Sequence, residues 1–182
     1  MTEDKSLSKK ILVVIILSLF IFYSPFGLSD AKGENRQIPV LKVTASSDGT
    51  KSPKEWPHYP EMVVDGNIYT CWASSAKDTI GSWLEFFFKE QVNLSSIEIV
   101  NGWIPMNYPN FFSQNHRAKI VTTIFDDGSQ ETFVLKDTNK IQRILLKTKR
   151  ITKTIKIRID AIYQAEQAEE PWITISEIFF FD

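Results

Sequence analysis

The stretch ITKTIKIRIDA, residues 151–161, decides the fold class. Ile151, Ile155, Ile157, Ile159 and Ala161 alternate with Thr152, Thr154, Lys156, Arg158 and Asp160, a period of two that places the two sets on opposite faces of an extended chain. The same signal recurs outward from it. Residues 40–45 form a short strand candidate; after Gly81, Leu84, Phe86 and Phe88 share one face while Trp83, Glu85 and Phe87 share the other, as in a strand covered on both sides. Residues 94–100 follow with Ile97 and Ile99 in phase, and Asn101-Gly102-Trp103 ends that run. Residues 119–125 and 129–135 flank Asp126-Asp127-Gly128, a hairpin signal, and residues 141–146 and 173–181 are further strands. About eight strands with turn punctuation, and no convincing internal amphipathic helix, predict an all-β antiparallel sandwich or jelly roll.

Glu177 interrupts the last strand. It has the parity of Ile173, Ile175, Phe179 and Phe181, so in a regular strand its carboxylate points where the apolar side chains point. A carboxylate in a core needs an arginine, a set of amides or a metal as partner, because an unpaired buried charge is costly. The alternative is a β-bulge that turns it outward.

With 182 residues, 43% hydrophobic and 13% aromatic, the chain has material for one cored domain and terminal extensions. Lys5, Lys9 and Lys10 precede an apolar run over residues 11–22, followed by Pro25, Gly27 and Ser29, the order of a secretory signal. Residues 1–29 are therefore expected to be a signal peptide cleaved after Ser29 or Ala31, residues 30–39 a linker, and residues 40–182 the domain of a secreted, periplasmic or cell-envelope protein. The alternative is an uncleaved anchor, the one route to a membrane. Removing residues 1–29 takes away three lysines and two acids, so a net charge of −1 becomes −2 and nothing attracts nucleic acid. The basic run Lys147-Thr148-Lys149-Arg150 reads as a solvated turn between two strands. Cys71 is the only cysteine, so no intrachain disulfide is possible, and beside Trp72 it reads as a small buried hydrophobe.

Two loops carry the chemistry. In VVDGNIYTCW, residues 63–72, Asp65-Gly66-Asn67 is turn chemistry. It is either a self-satisfied Asx turn or the frame of an ion held by Asp65, Thr70 and backbone carbonyls, the oxygen-rich manner of calcium. Residues 103–117, WIPMNYPNFFSQNHR, have no period, two prolines and four aromatics, and unpatterned loops of this length are usually functional. Trp103 and Tyr108 offer rings for the C–H faces of sugars, and Asn115 and Arg117 offer planar partners for hydroxyls. Structural alternatives stand beside these roles: Trp103 as a core lid, Arg117 as the partner of Glu85 or Glu177. The polar loop of residues 46–60 adds Trp56, His58 and Tyr59, as stacking or packing groups. No Gly-x-Ser-x-Gly elbow, phosphate loop, dinucleotide fingerprint or HExxH pair is present, and His58 and His116 lack ligands at zinc spacing. No pair of acids stands out as a glycosidase couple. The residues point to a binding module rather than an enzyme, with a protein-interaction or structural envelope module as the alternative.

VTASS (43–47), VVDGNIYTCWAS (63–74), GSWLEFFF (81–88), IEIVNGW (97–103), NHR (115–117), DDGS (126–129) and ISEIFFF (175–181) together resemble the discoidin-like, galactose-binding-like sandwich domains. They are most similar to the glycan-binding domain of the secreted streptococcal NAD glycohydrolase type, over about residues 40–182. The resemblance implies the particular jelly roll, a glycan or glycoconjugate ligand with a protein as the other possible partner, and a structural calcium where the DG-turn carboxylate meets the Glu of the last strand. Here those are Asp65 and Glu177, with Thr70 beside them. It also implies a ligand face at Asn101, Gly102, Trp103, Asn115 and Arg117. Residues 104–114 depart from the pattern, so no sugar preference carries over, and no second, catalytic domain is expected within these 182 residues.

Overall fold

The computed structural model describes residues 35–49, 57–166 and 171–182; the expected signal peptide, residues 30–34 of the expected linker and Trp56 lie outside the described residues. Eight strands are present among them: β1 Gln37–Ile38, β2 Lys42–Ala45, β3 Trp72–Ala73, β4 Trp83–Asn101, β5 Arg117–Phe125, β6 Gln130–Val134, β7 Gln142–Tyr163 and β8 Thr174–Phe181. A 3-10 helix, Pro60–Val64, and one turn of α-helix, α1 Phe111–Gln114, complete the set. The strand order is β1-β8-β4-β7-β5-β6, with β2 also on β4 and β3 also on β8, and every ladder is antiparallel.

The two long strands build the architecture. β4 pairs with β2 and the later part of β7 through residues 83–87, then with β8 and the first part of β7 through residues 96–101. Register shifts between Phe87 and Val92 mark where it changes partners. Bulges bend and twist a strand, which lets one chain segment serve two halves of a jelly roll. Leu84, Phe86 and Phe88 of β4, Ile155, Ile157 and Ile159 of β7, and Ile175, Ile178 and Phe180 of β8 are all essentially inaccessible and make the core. Each such side chain contributes roughly 1.5–3 kcal/mol on burial. On the opposite face of β4 the rings are covered by lysine stems, with Lys156 Nζ 4.3 Å from the Trp83 centroid and Lys42 Nζ 5.7 Å from that of Phe87.

Four expectations are corrected. Residues 81–88 and 94–100 are one strand, because the exposed Lys89-Glu90-Gln91 run is a bulged part of β4 and no turn. Residues 147–150 likewise lie within β7, the side chains of Lys147, Thr148 and Lys149 exposed and the half-buried Arg150 paired with Glu131 at 3.0 Å, while the backbone stays extended. The alternation read over residues 151–161 slips there: Ile151 is 66% exposed and Thr152 fully buried, its Oγ1 donating to the Thr154 carbonyl at 2.6 Å. The domain also starts before Val40, since β1 pairs with β8, Ile38 is buried and Arg36 is bonded to Asp182.

Candidate functional site

The Asp65-Gly66-Asn67 turn lies against Glu177. Gly66 takes φ 78°, a left-handed conformation open to glycine, and this aims two successive amides at one carboxylate oxygen. Gly66 N–H and Asn67 N–H donate to Glu177 Oε1 at 2.7 and 3.2 Å. Glu177 is fully buried, beside a register shift opposite Val100 and Asn101, so the irregularity turns it onto the loop and not into solvent. Its Oε2 has no hydrogen-bond partner among the described residues. The Glu177 carboxyl is pushed up to about 7, chiefly by burial and then by the neighbouring Asp65 carboxyl, with which it can share a proton, while the two backbone N–H groups oppose the shift.

Thr70 is crowded by acceptors. Its Oγ1 is 3.1 and 2.9 Å from the two Asp65 oxygens and 2.6 Å from the Asn67 carbonyl oxygen, yet it has one proton to give. Asp65, Asn67 O, Thr70 and the unpartnered Glu177 oxygen are therefore a convergent set of hard oxygens carrying two carboxylates. That donor set fits a calcium-class cation. Asp65 Oδ1 also accepts from Asn67 N–H at 2.8 Å, so the Asx turn and the oxygen cluster are one structure and not alternatives.

The long loop packs against the other side of this turn. Trp103 is 5% exposed and donates from Nε1 to the Tyr69 carbonyl at 2.7 Å. Tyr108, 47% exposed, stacks on Phe111 at 5.3 Å between centroids. Between the loops lies a cavity of about 260 Å³ whose walls include His58, Met62, Tyr69, Trp103, Met106 and Tyr108.

Asn115 and Arg117 are placed differently from the expected ligand face. Asn115 Nδ2 donates to Phe111 O at 3.0 Å, closing the short helix. The Arg117 side chain is 6% exposed; Nε and Nη2 form a fork onto Asp137 at 3.0 and 2.7 Å, and Nη1 donates to the carbonyls of Asn115 and Gln164 at 2.8 and 3.1 Å. Its guanidinium lies 5.1 Å from the Phe112 centroid. A guanidinium so engaged has little left to offer a hydroxyl, so these two residues build the loop, and Arg117 pairs with Asp137 rather than Glu85 or Glu177. Gly102 completes the pin: it takes φ 79°, and a Cβ there would lie 2.6 Å from the Phe112 ring. Asn101, fully buried, bonds Ala118 through both halves of its amide at 2.8 and 3.0 Å.

Cys71 is buried as expected but has a partner: its Sγ lies 3.2 Å from His58 Nδ1. Burial raises the thiol well above its ordinary value and lowers the imidazole, so the pair is thiol and neutral ring, not a thiolate nucleophile. The sequence reading left His58 in a polar loop and overlooked Tyr69, Met62 and Met106; alternating polarity carries no signal for loop residues that converge only after folding.

The fold places the chain among discoidin-like jelly rolls. It superposes on the CBM32 of AlyQ, solved with 4,5-unsaturated mannuronic acid, with TM-score 0.58 and 16% identity over 81% of this chain and 98% of that one. The family 32 module of NanJ from C. perfringens, solved with galactose, gives 0.56 and 16% over 78% and 93%, and a pectin-binding module gives 0.56 and 19% over 79% and 91%. A search of curated protein sequences found no match. Residues 35–181 match the family described as the NAD glycohydrolase translocation F5/8 type C domain, and the chain belongs to that family.

Proposed function

We propose that this protein is an exported, non-catalytic carbohydrate-binding module whose glycan lies across the cavity between the loop of residues 57–72 and the loop of residues 103–110. The observation that carries it is the cavity itself: Tyr69, Trp103 and Tyr108 bring three rings to one opening of about 260 Å³. Aromatic faces with a few directed polar atoms suit the C–H faces and hydroxyls of a sugar. The sugars and polysaccharides named for the superposable modules support the same reading. Trp103 and Tyr108 are the ligand contacts, with Tyr69 added; Asn115 and Arg117 hold their loop. A glycan array on the full-length chain tests this, with Tyr108→Ala expected to lose about tenfold or more in affinity while folding normally. Silence on the array together with capture of a specific protein would replace the glycan with a protein partner.

The Asp65, Thr70 and Glu177 cluster is proposed to hold a structural calcium, supported by its surplus of oxygens and the unpartnered Glu177 Oε2. A bound cation would relieve the mutual repulsion of the two carboxylates and fix the turn. Calcium should then raise the melting temperature of chelator-treated protein, by mass action on the folded state. An unchanged melting curve excludes it.

A further inference from the structure

Two strand edges face each other along one side of the sandwich. Among the described residues β6 ladders with β5 alone, and residues 142–145 of β7 ladder with β4 alone, since β5 joins β7 only from Ile155 onward. Side chains span the gap between these edges. Glu131 Oε2 accepts from Lys147 N–H at 2.9 Å, while Gln142 accepts from Lys136 N–H at 2.6 Å and donates Nε2 to the Lys136 carbonyl at 3.0 Å. Residue 131 thus lies beside 147 and 136 beside 142, so the edges run antiparallel with a side chain, and no backbone ladder, between them. Leu135 N–H donates to Lys119 O on the β5 side, and successive residues of an antiparallel ladder turn their backbone groups to opposite sides. Thr132 and Val134 therefore aim theirs into the seam, and an open edge of this kind is a template for a further strand.

The side chains along this seam are aliphatic and basic. Val134 on one lip and Ile141 and Leu145 on the other are 72%, 57% and 68% exposed, and a groove of about 660 Å³ has Val134, Ile141 and the buried Leu135 and Ile144 among its walls. Residues 136–153 carry five lysines and two arginines against Asp137 alone, in a chain of net charge −1. Both arginines are paired, with Glu98 and Glu131, and Asp137 is taken by Arg117, so the excess charge rests on the lysines. A glycan finds no ring to stack on here. A bilayer would cover the aliphatic side chains but leave the N–H and C=O groups of an open edge unsatisfied in hydrocarbon. A second copy placed by a two-fold axis would set the same lysines against each other. An extended acidic chain supplies what each of these lacks: backbone partners, alternating side chains and opposite charge. We propose that the seam between β6 and the start of β7 docks an extended acidic segment of a protein partner, which adds as a strand to Thr132 and Val134, covers Ile141 and Leu145, and brings carboxylates to Lys136 and Lys140. The groove shares no lining residue with the cavity between the loops, and the inference does not depend on the glycan reading.

The test uses the full-length chain and a short synthetic peptide of alternating valine and glutamate carrying a fluorescent label, beside the same peptide with lysine for glutamate. Anisotropy should show the acidic peptide binding about tenfold or more tightly than the basic one, with an affinity that falls as salt is raised. Lys140→Glu and Leu145→Ser, both at exposed positions that tolerate substitution, should each weaken it about fivefold or more. Amide hydrogen exchange gives a readout that charge attraction alone does not move: the N–H groups of Thr132 and Val134 should become protected when the acidic peptide is added. Absence of binding, equal binding of the two peptides, or binding without that protection overturns the inference. So does attachment to phosphatidylglycerol vesicles, or a dimer in solution, that Leu145→Ser abolishes while the acidic peptide fails to bind; the first would make the seam a lipid surface and the second a contact between copies.

Discussion

A fully buried carboxylate that accepts two backbone N–H groups on one oxygen and has no partner on the other can be satisfied by a proton or by a cation. Without a cation, Glu177 has its carboxyl pushed up to about 7, chiefly by burial and then by Asp65. The sign of the linkage follows. An acid whose folded value lies above its unfolded one favours the folded state while protonated, so that stability is fully present below about 4.5 and is lost as the pH rises through 7. In chelator, unfolding free energy should therefore fall by on the order of 2–3 kcal/mol between pH 5 and pH 8. Glu177→Gln, which keeps an acceptor oxygen and removes the charge, should flatten that slope and with it the response to calcium. Denaturant melts at several pH values measure it. A wild-type profile without slope in chelator would mean that the carboxyl is not carrying the charge assigned to it.

At the scale of elements, the loop of residues 103–117 is held by Arg117, whose guanidinium joins the start of β5 to the turn at Asp137 and the chain after β7. Arg117→Ala leaves two carbonyls without a donor and removes a buried charge partner. Asp137 is itself about one-third exposed, so the loss stays below that of a fully buried pair, at about 2–3 kcal/mol. Arg117→Lys should recover less than half of it, because an ammonium cannot reproduce the fork. Thermal melting checks both; unchanged stability with abolished glycan binding would return Arg117 to direct ligand contact. Which parts of this were legible follows from the range of the interactions. The hairpin at Asp126-Asp127-Gly128 was readable because it is local: Gly128 takes φ 80° and Ser129 N–H caps Asp127 at 2.8 Å. The burial of Glu177 did not follow from parity: the core side chains beyond it are Ile178 and Phe180, while Phe179 and Phe181, whose parity it shares, are half-buried, because the register shifts beside it. β4 and β7 were each read as two strands because exposed charged residues on an extended edge look like a turn when only one face is considered. β1 was missed because two residues carry no period. Asp137 as the partner of Arg117, and His58 beside Cys71, depend on ladder register and loop closure that no local pattern encodes.

For the whole molecule, the consequence lies in what joins the oxygen cluster to the cavity. Thr70 belongs to both: its Oγ1 sits among the Asp65 and Asn67 oxygens, and the residue lines the cavity. Asn67 Oδ1 accepts from Tyr69 N–H at 3.1 Å, and the Tyr69 carbonyl accepts from Trp103 Nε1–H at 2.7 Å. An unbroken set of hydrogen bonds therefore runs from Glu177 through the turn to the ring at the centre of the proposed ligand face. If calcium orders residues 65–70, it orders one wall of the cavity before the ligand arrives, and the ligand then meets a smaller entropic cost. The coupling should be worth about 1–2 kcal/mol, so chelation should weaken glycan binding by roughly five- to thirtyfold. By linkage the glycan must raise calcium affinity by the same factor, and calorimetric titration in both directions measures the two numbers independently. Thr70→Val, which keeps the shape and deletes the hydroxyl, should shrink both together. Equal glycan affinity in calcium and in chelator would show that the turn is rigid without the ion, leaving Glu177 a structural carboxyl and the cavity a preformed site.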